Sequence, residues 1–427
     1  MNTPEFNFHP AIVRGIQDLG FTEPTPIQRD AMPPALAGRD VLACAMTGSG
    51  KTAAFVLPIL QHMAGSRGGR TRALIVTPTR ELASQIHEHI QDLARHTPVK
   101  SATVFGGVKP GKQEQALRAG VDIIVATPGR LLDLMQYPWA RFEHLEFLVL
   151  DEADRMLDMG FLPDIRRILA RVPKQRQTML FSATLPQPIV KLSKDLLKDP
   201  VRIDVERRSA PATGITQAIL PVPEQLKTDL LKEMLGRGDV ENALVFTRTK
   251  HRANRLAQKL ERAGFSCDRI HGNRSQPQRE AALAGFKHGR IKVLVATDIA
   301  ARGIDVAALP HVINFDVPVA PDDYIHRVGR TARAGLVGDA LTFASPGEKP
   351  LVAAIERAVG RSIARRTVEG FDYKAKPEGR LEIPVGERFA AHRARRSEER
   401  ARSHAKAQRR THSTGRRSAN RGARAAG

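Results

Sequence analysis

The densest chemistry in this chain lies in the run Ala45-Met-Thr-Gly-Ser-Gly-Lys51-Thr52, which closes the apolar stretch Val41–Ala45 and precedes a helical pattern. A glycine-rich turn between a strand and a helix N-terminus aims several backbone N–H groups at one point, where they can surround phosphate oxygens. In that setting Ala45, Thr47, Gly48, Ser49 and Gly50 form the cradle. Lys51 reaches the β- and γ-phosphates, and the Thr52 hydroxyl is placed to ligate Mg2+. Ala45 stands where the general pattern has Gly. A second cluster, Asp151-Glu152-Ala153-Asp154, starts where the apolar run Phe147–Leu150 stops. A carboxylate at the C-terminal end of a buried strand sits where α/β folds bind ligands. Asp151 is placed to hold Mg2+, and Glu152 to orient or deprotonate an attacking water. By itself the acidic string reads equally well as a solvated turn; coupled to the phosphate loop, it points to nucleotide hydrolysis.

The elements that must position these groups are legible as alternation. Short apolar runs at Val41–Ala45, Leu74–Thr77, Ile123–Thr127, Phe147–Leu150, Met179–Phe181 and Val201–Val205 are each followed by amphipathic or polar stretches. That pattern predicts βαβ units and a parallel sheet buried on both faces. It then restarts: residues 72–80 read RALIVTPTR and residues 242–250 NALVFTRTK, while IIVAT at 123–127 matches VLVAT at 293–297. Both matches share an offset of 170 residues, which predicts two homologous α/β domains. The expected division is 1–205 for the first domain, 206–214 for a linker containing Pro211 and Gly214, 215–365 for the second domain and 366–427 for a basic tail.

Charge supports a polyanionic partner. Lys and Arg number 67 against 45 Asp and Glu over 427 residues, a net +22. Between Arg388 and Arg424 thirteen basic residues face two acids, so half the surplus lies in a segment of Arg, Ala, Ser and Gly. Such a segment lacks the apolar content to offset its ordering entropy and is expected to be disordered, attracting nucleic acid through phosphate. It holds no aromatic after Phe389, so base stacking is not expected there. His404 and His412 read as spacers rather than metal ligands. Two cysteines, Cys44 and Cys267, exclude a disulfide framework and are badly spaced for zinc. With neither a signal-like N-terminus nor a membrane-length apolar run, the expectation is a soluble cytoplasmic protein without membrane attachment.

The strings AMTGSGKT, PTRELA, TPGR, DEAD and SAT, followed by VFTRTK, ATDIAARGID and HRVGRTARAG, resemble in identity, order and spacing those of the DEAD-box ATP-dependent RNA helicases. The compact layout resembles the bacterial RhlE-like group, and the likeness covers about residues 5–350. It implies two tandem RecA-like domains with ATP and RNA bound across their cleft. It also implies local RNA unwinding driven by ATP with Mg2+.

The resemblance assigns roles. Residues 20–28, GFTEPTPIQ, look like the adenine-recognising segment, with Gln28 reading the base edge; an amide donates and accepts at once, which suits adenine. Phe21 belongs to the same segment and counts among the nucleotide-binding positions, although as a residue it reads first as core beside the helix face Ile12, Val13, Ile16 and Leu19. Ser182 and Thr184 look like the motif coupling ATP state to unwinding, and a cap at a strand end is their plainer reading. Asp305 would meet the ribose. Arg330 and Arg333 would reach the γ-phosphate as arginine fingers, with His326 and Arg327 at the same junction. If that stretch is helical, the three-residue spacing puts the arginines on one face. RNA contacts fall on Arg80, Gly106, Gly107, Thr127 and Arg130, then on Arg248, Gly272, Thr297, Gln276 and Arg279. They go through phosphate and 2′-OH, so single strands and short duplexes are bound with little sequence preference. Protein partners would bind through the tail. Three departures stand out: the family's upstream adenine-stacking Phe is replaced near Thr3, leaving Phe6 or Phe8 as substitutes; Ala332 sits between the arginines where Gly is usual; and Ala45 opens the phosphate loop.

Overall fold

The computed structural model describes residues 6–46, 48–65, 68–205, 214–301, 309–331 and 337–375. Thr3, Thr47, Asp305, Ala332, Arg333, the junction at 206–213 and the tail from 376 onward lie outside the described residues.

Seven strands form the first sheet: β1 (Val41–Cys44), β2 (Ala73–Val76), β3 (Ser101–Val104), β4 (Ile123–Ala126), β5 (Phe147–Leu150), β6 (Gln177–Ser182) and β7 (Val201–Asp204). Their order is β3-β4-β2-β5-β6-β1-β7, and every pairing is parallel. Seven more form the second sheet: β8 (Ile215–Pro221), β9 (Ala243–Thr247), β10 (Cys267–Ile270), β11 (Val293–Thr297), β12 (His311–Asn314), β13 (Gly338–Ala344) and β14 (Ala364–Arg365). Its order is β10-β11-β9-β12-β13-β8-β14, the first order with every number raised by seven, again all parallel. The duplication expected from the 170-residue offset is therefore structural. Ala73 pairs with Ile123 in the first sheet, and Ala243 pairs with Val293 in the second. These are the tandem RecA-like domains.

Helices cover both faces, which is why the strands read as continuous apolar runs rather than alternating ones. Along β1 and β2, Val41, Ala43, Ala73 and Ile75 join one core with Phe55 and Phe181. Leu42, Leu74 and Val76 join the core on the opposite face with Leu148 and Leu180. The edge strand β3, SATV, had no apolar run to announce it: three of its four residues are only half-buried.

The expected N-terminal helix runs over Pro10–Asp18 with Ile12 and Ile16 buried. Gly20 follows it at φ 67°. Phe6 is buried and stacked with Phe8, ring centroids 5.7 Å apart, and Phe8 packs against the same core. The compact unit continues to Tyr373. Beyond β14, the Arg366 N–H donates to the Ile219 carbonyl at 2.9 Å, and Phe371 meets Tyr373 edge to face. Among the described residues, no helix is long and apolar enough to cross a membrane.

Candidate active site

The phosphate loop joins β1 to the helix Lys51–Met63. Gly50 caps that helix at φ 94°, a left-handed conformation that favours glycine. A Cβ there would also lie 2.6 Å from Gln28 Nε2 and 2.8 Å from Thr25 Oγ1, so the loop and the Gln28 segment pack without room for a methyl group. Lys51 is buried and donates from Nζ to the Ala45 carbonyl at 2.9 Å, which folds its ammonium back over the loop. The Ala45 N–H donates to the Ser182 carbonyl at 2.9 Å, tying the loop entry to β6. Gln28 is buried at the start of the helix Pro26–Leu36. Its Oε1 accepts from the Thr25 N–H at 2.9 Å and its Nε2 donates to the Gly50 carbonyl at 3.0 Å. An amide has two donor hydrogens and two acceptor lone pairs, so one of each stays available for a base edge.

Asp151 and Glu152 leave the C-terminal end of β5. Glu152 is left-handed at φ 53°, a strained conformation for a residue with a side chain. Its N–H donates to Asp151 Oδ1 at 2.9 Å. Burial pushes the Asp151 carboxyl up to about 6; the Lys51 ammonium pulls against this, and the Glu152 carboxylate adds to it. Both Glu152 oxygens accept from Arg155 Nη1, at 2.9 and 2.8 Å, and Arg155 is only 1% exposed. Asp154 turns the other way: its Oδ2 accepts from the Thr184 N–H at 2.8 Å and from Thr184 Oγ1 at 3.0 Å. Its own N–H donates to Ser182 Oγ at 3.1 Å. The acidic string and the Ser-Ala-Thr string are thus one hydrogen-bonded unit.

One pocket of about 460 Å3 collects these groups. Phe21, Gln28, Gly48, Gly50, Lys51, Thr52, Asp151 and Glu152 line it from the first domain, and Lys287 and Arg330 from the second. Arg330 is buried. Phe21, half-buried with its ring 5.8 Å from His89, is the aromatic on this wall; Phe6 and Phe8 do not line it. The oxygen donors Asp151 and Thr52 face the same space, and a carboxylate disfavoured by burial gains from a nearby cation; this set suits Mg2+.

Arg330 is not on the helix that spacing suggested. That helix, Pro321–Val328, ends at Val328, and Gly329 follows as its cap, so Arg330 reaches the pocket from a turn. Arg327 stays inside the second domain. Its Nε and Nη2 pair with Asp298 at 2.6 and 2.8 Å, and its Nη1 donates to Asn314 Oδ1 and to the Asp316 carbonyl. With its guanidinium 4.9 Å from the centre of the Phe246 ring, it is a buried strut inside the second domain. His326 is half-buried on the same helix.

The residues expected to touch RNA stand after strand C-termini, on the edge that carries the pocket. Arg80 opens the helix Arg80–Leu93 and lays its guanidinium against Gly106 and Gly107; Gly107 is at φ 81°, and a Cβ there would meet Arg80 Nη1 at 1.8 Å. Thr127 caps the helix Pro128–Leu134, and Arg130 Nη1 donates to the Val108 carbonyl at 3.4 Å. Arg248 follows β9, Gly272 follows β10 and Thr297 ends β11. The two halves meet here: Glu81 accepts from Gln276 Nε2 at 3.3 Å and pairs with Arg279 Nη2 at 3.0 Å. Burial pulls Arg80 below its ordinary pKa, and nearby Arg279 and Arg130 pull it further while Glu81 opposes them. Burial, then Arg274 and other cations, push His271 beside Gly272 down to about 4, so its ring is neutral. The strip is cationic and incompletely neutralised, a surface that an anionic backbone would relieve.

Several site residues escaped the sequence reading. Leu82, Gln85, Ile86, His89 and Asp92 line the pocket from one face of the helix Arg80–Leu93, a three- and four-residue spacing visible in the sequence but masked by its mixed polarity. Glu81, inside the PTRELA string but given no role there, and Arg155, directly after DEAD, carry the ion pairs that hold these segments.

Comparison with known proteins agrees with this arrangement. The DEAD/DEAH box helicase family profile matches residues 25–192, and the helicase conserved C-terminal domain profile matches residues 226–335. The chain is 42% identical over 381 residues to the DEAD-box ATP-dependent RNA helicase CshA of Bacillus subtilis, covering 89% of this chain and 76% of that protein. Among solved structures it resembles S. cerevisiae Dbp5 bound to RNA and ADP BeF3, with TM-score 0.78, 31% identity, and coverage of 85% of this chain and 95% of that one. It also resembles Mss116p bound to ssRNA and AMP-PNP, with TM-score 0.76, 28% identity, and coverage of 85% and 78%. With a pocket closed by groups from both halves and likeness over nearly all of the folded chain, this protein belongs to the DEAD-box ATP-dependent RNA helicases.

Proposed function

We propose that the chain binds ATP in the shared pocket and hydrolyses it when RNA holds the two domains together, opening short RNA duplexes locally. The observation that carries this reading is the lining of one pocket by Lys51, Asp151 and Glu152 from one domain and Arg330 from the other. A site split this way works only when closed, so whatever closes the cleft controls hydrolysis. Lys51 and the loop N–H groups bind the phosphates, Gln28 and Phe21 hold the base, Glu152 orients the attacking water, and Arg330 meets the charge developing on the γ-phosphate. Asp151 and Thr52 would hold Mg2+, which supplies charge neutralisation when bound. Arg333 and Asp305 complete the site in this reading. The Asp154–Thr184 and Ser182 bonds give the nucleotide side a mechanical link to the RNA strip. Competition between matched RNA and DNA duplexes in strand separation tests the substrate; equal use of DNA would overturn the RNA assignment.

Binding through Arg80, Gly106, Gly107, Thr127, Arg130, Arg248, Gly272 and Thr297 is to phosphate and sugar. Gly107→Ala is the sharpest probe, because its Cβ displaces the Arg80 guanidinium, the movable end of a side chain, rather than the core. The concentration of single-stranded RNA giving half-maximal ATPase stimulation is expected to rise about tenfold, with the melting temperature lowered by about one or two degrees because alanine is strained in the left-handed backbone of Gly107. The basic tail acts as a non-specific tether, and protein partners would also bind there. Removing residues 388–427 is expected to weaken RNA affinity and flatten its salt dependence by several units of slope; an unchanged slope would refute tethering. Domain limits at 205 and 215, a cytoplasmic location and membership of the RhlE-like group complete the reading, the last resting on the compact two-domain layout.

A further inference from the structure

A buried ionic network lies behind the RNA strip in the second domain. Lys227 is fully buried, and its Nζ pairs with Glu348 Oε2 at 2.6 Å and Glu224 Oε2 at 3.0 Å. The other Glu348 oxygen, Oε1, accepts from Arg248 Nη2 at 3.0 Å. Ser345 fixes the carboxylate further, its N–H and hydroxyl both donating to Oε2 at 3.0 and 2.9 Å. Asp316 holds the same arginine at its root: its Oδ2 accepts the Arg248 N–H at 2.8 Å, while Arg252 pairs with both Asp316 oxygens. Three carboxylates, Glu224, Asp316 and Glu348, crowd together here. Lys227, Arg248 and Arg252 match them charge for charge, which makes this an ion-pair network rather than a cation site. Among the three cations, Lys227 and Arg252 are buried, and the Arg248 side chain is 47% exposed.

We propose that Glu348 is a positioning residue for RNA binding: anchored by Lys227 and Ser345, it holds the Arg248 guanidinium at the cleft edge, ready for an RNA phosphate. Arginine loses much rotamer freedom when it docks on phosphate, and a side chain already fixed at one N–H loses less. Nη2 is engaged with Glu348 and, at 3.4 Å, with the Val317 carbonyl; the rest of the donor fork is left for the ligand. Lys227 matters because it balances the Glu348 charge from behind, so the carboxylate orients Arg248 without cancelling its attraction for phosphate. Burial alone would push the Glu348 carboxyl up; Lys227 and the Ser345 hydrogen bonds together more than offset this and keep it below the usual range, hence ionised. The network gathers residues distant in sequence: Lys227 after β8, Arg248 after β9, Asp316 after β12 and Glu348 after β13.

The inference rests on Arg248 being an RNA contact, and the experiment separates the two claims. RNA-stimulated ATP hydrolysis is measured against a single-stranded homopolymer RNA in the full chain, in Arg248→Ala, in Glu348→Gln and in the double variant. Arg248→Ala is expected to raise the half-maximal RNA concentration about fivefold, and Glu348→Gln about threefold. Glu348→Gln should leave the KM for ATP and kcat at saturating RNA unchanged. The double variant should be no worse than Arg248→Ala, because Glu348 acts only through Arg248. If Glu348→Gln does not fold, Lys227→Met with Glu348→Gln removes the buried pair together, a change that buried ion pairs often tolerate, and should give the same threefold rise. No effect of Arg248→Ala would refute the RNA contact. An effect of Arg248→Ala with none from Glu348→Gln, additive effects in the double variant, or tighter RNA binding in Glu348→Gln would each refute the positioning role.

Discussion

Arg330→Ala is expected to lower RNA-stimulated ATP hydrolysis about a thousandfold, the scale on which arginine fingers act, while leaving ATP affinity within a few-fold of the parent. Two features of the site give this split. Lys51, Gly48, Gly50 and Gln28, the proposed nucleotide holders, line the pocket from the first domain and are untouched by the change. Arg330 belongs to the second domain and lines the pocket from a turn after Gly329. In the proposed function its guanidinium contributes where charge develops during transfer rather than where ATP first docks. Arg330→Lys should recover little, since an ammonium supplies no planar fork for two phosphate oxygens. Nucleotide binding and single-turnover hydrolysis, measured side by side, check the result; near-normal turnover in Arg330→Ala would remove the arginine from catalysis.

Glu152→Gln is expected to cost two to four orders of magnitude in turnover, roughly the range for a lost proton acceptor. Here the substitution does more than remove a charge. The carboxylate accepts from Arg155 Nη1 through both oxygens, and Arg155, almost wholly buried, cannot turn out to solvent. An amide can offer that nitrogen only one acceptor atom, so the arginine loses half of its pairing inside the fold. About 1–3 kcal/mol of stability should go with it, read as a lower melting temperature. ATP affinity should hold, because Asp151 and Lys51 remain. Turnover that survives in a variant with the expected loss of stability would mean that Glu152 serves the fold and not the reaction.

How much of this was legible in the sequence depends on how local each feature is. The phosphate loop, the DEAD string and the two apolar repeats are contiguous, because a turn around phosphate and a buried parallel strand each need neighbouring residues. The pairing of Ala73 with Ile123 and of Ala243 with Val293 follows from that repetition. Strand β3 was missed because an edge strand can be half polar and still pair. The spacing of Arg327, Arg330 and Arg333 suggested a helix face, but the helix ends at Val328 and sends Arg327 and Arg330 to different places. Nothing in the sequence singles out Arg155 and Lys227, since Lys and Arg are mostly exposed; only the fold shows Glu152, Glu224 and Glu348 converging on them. Glu81 meeting Gln276 and Arg279 joins positions nearly two hundred residues apart, which no local pattern encodes.

The central claim is that ATP turnover waits on RNA because the catalytic groups are divided between two domains. Its most direct test is ATP hydrolysis by the full chain with and without single-stranded RNA, alongside Glu152→Gln. The expected result is stimulation of at least about tenfold at saturating RNA, absent from the variant. Equal hydrolysis with and without RNA in the parent chain would contradict the claim.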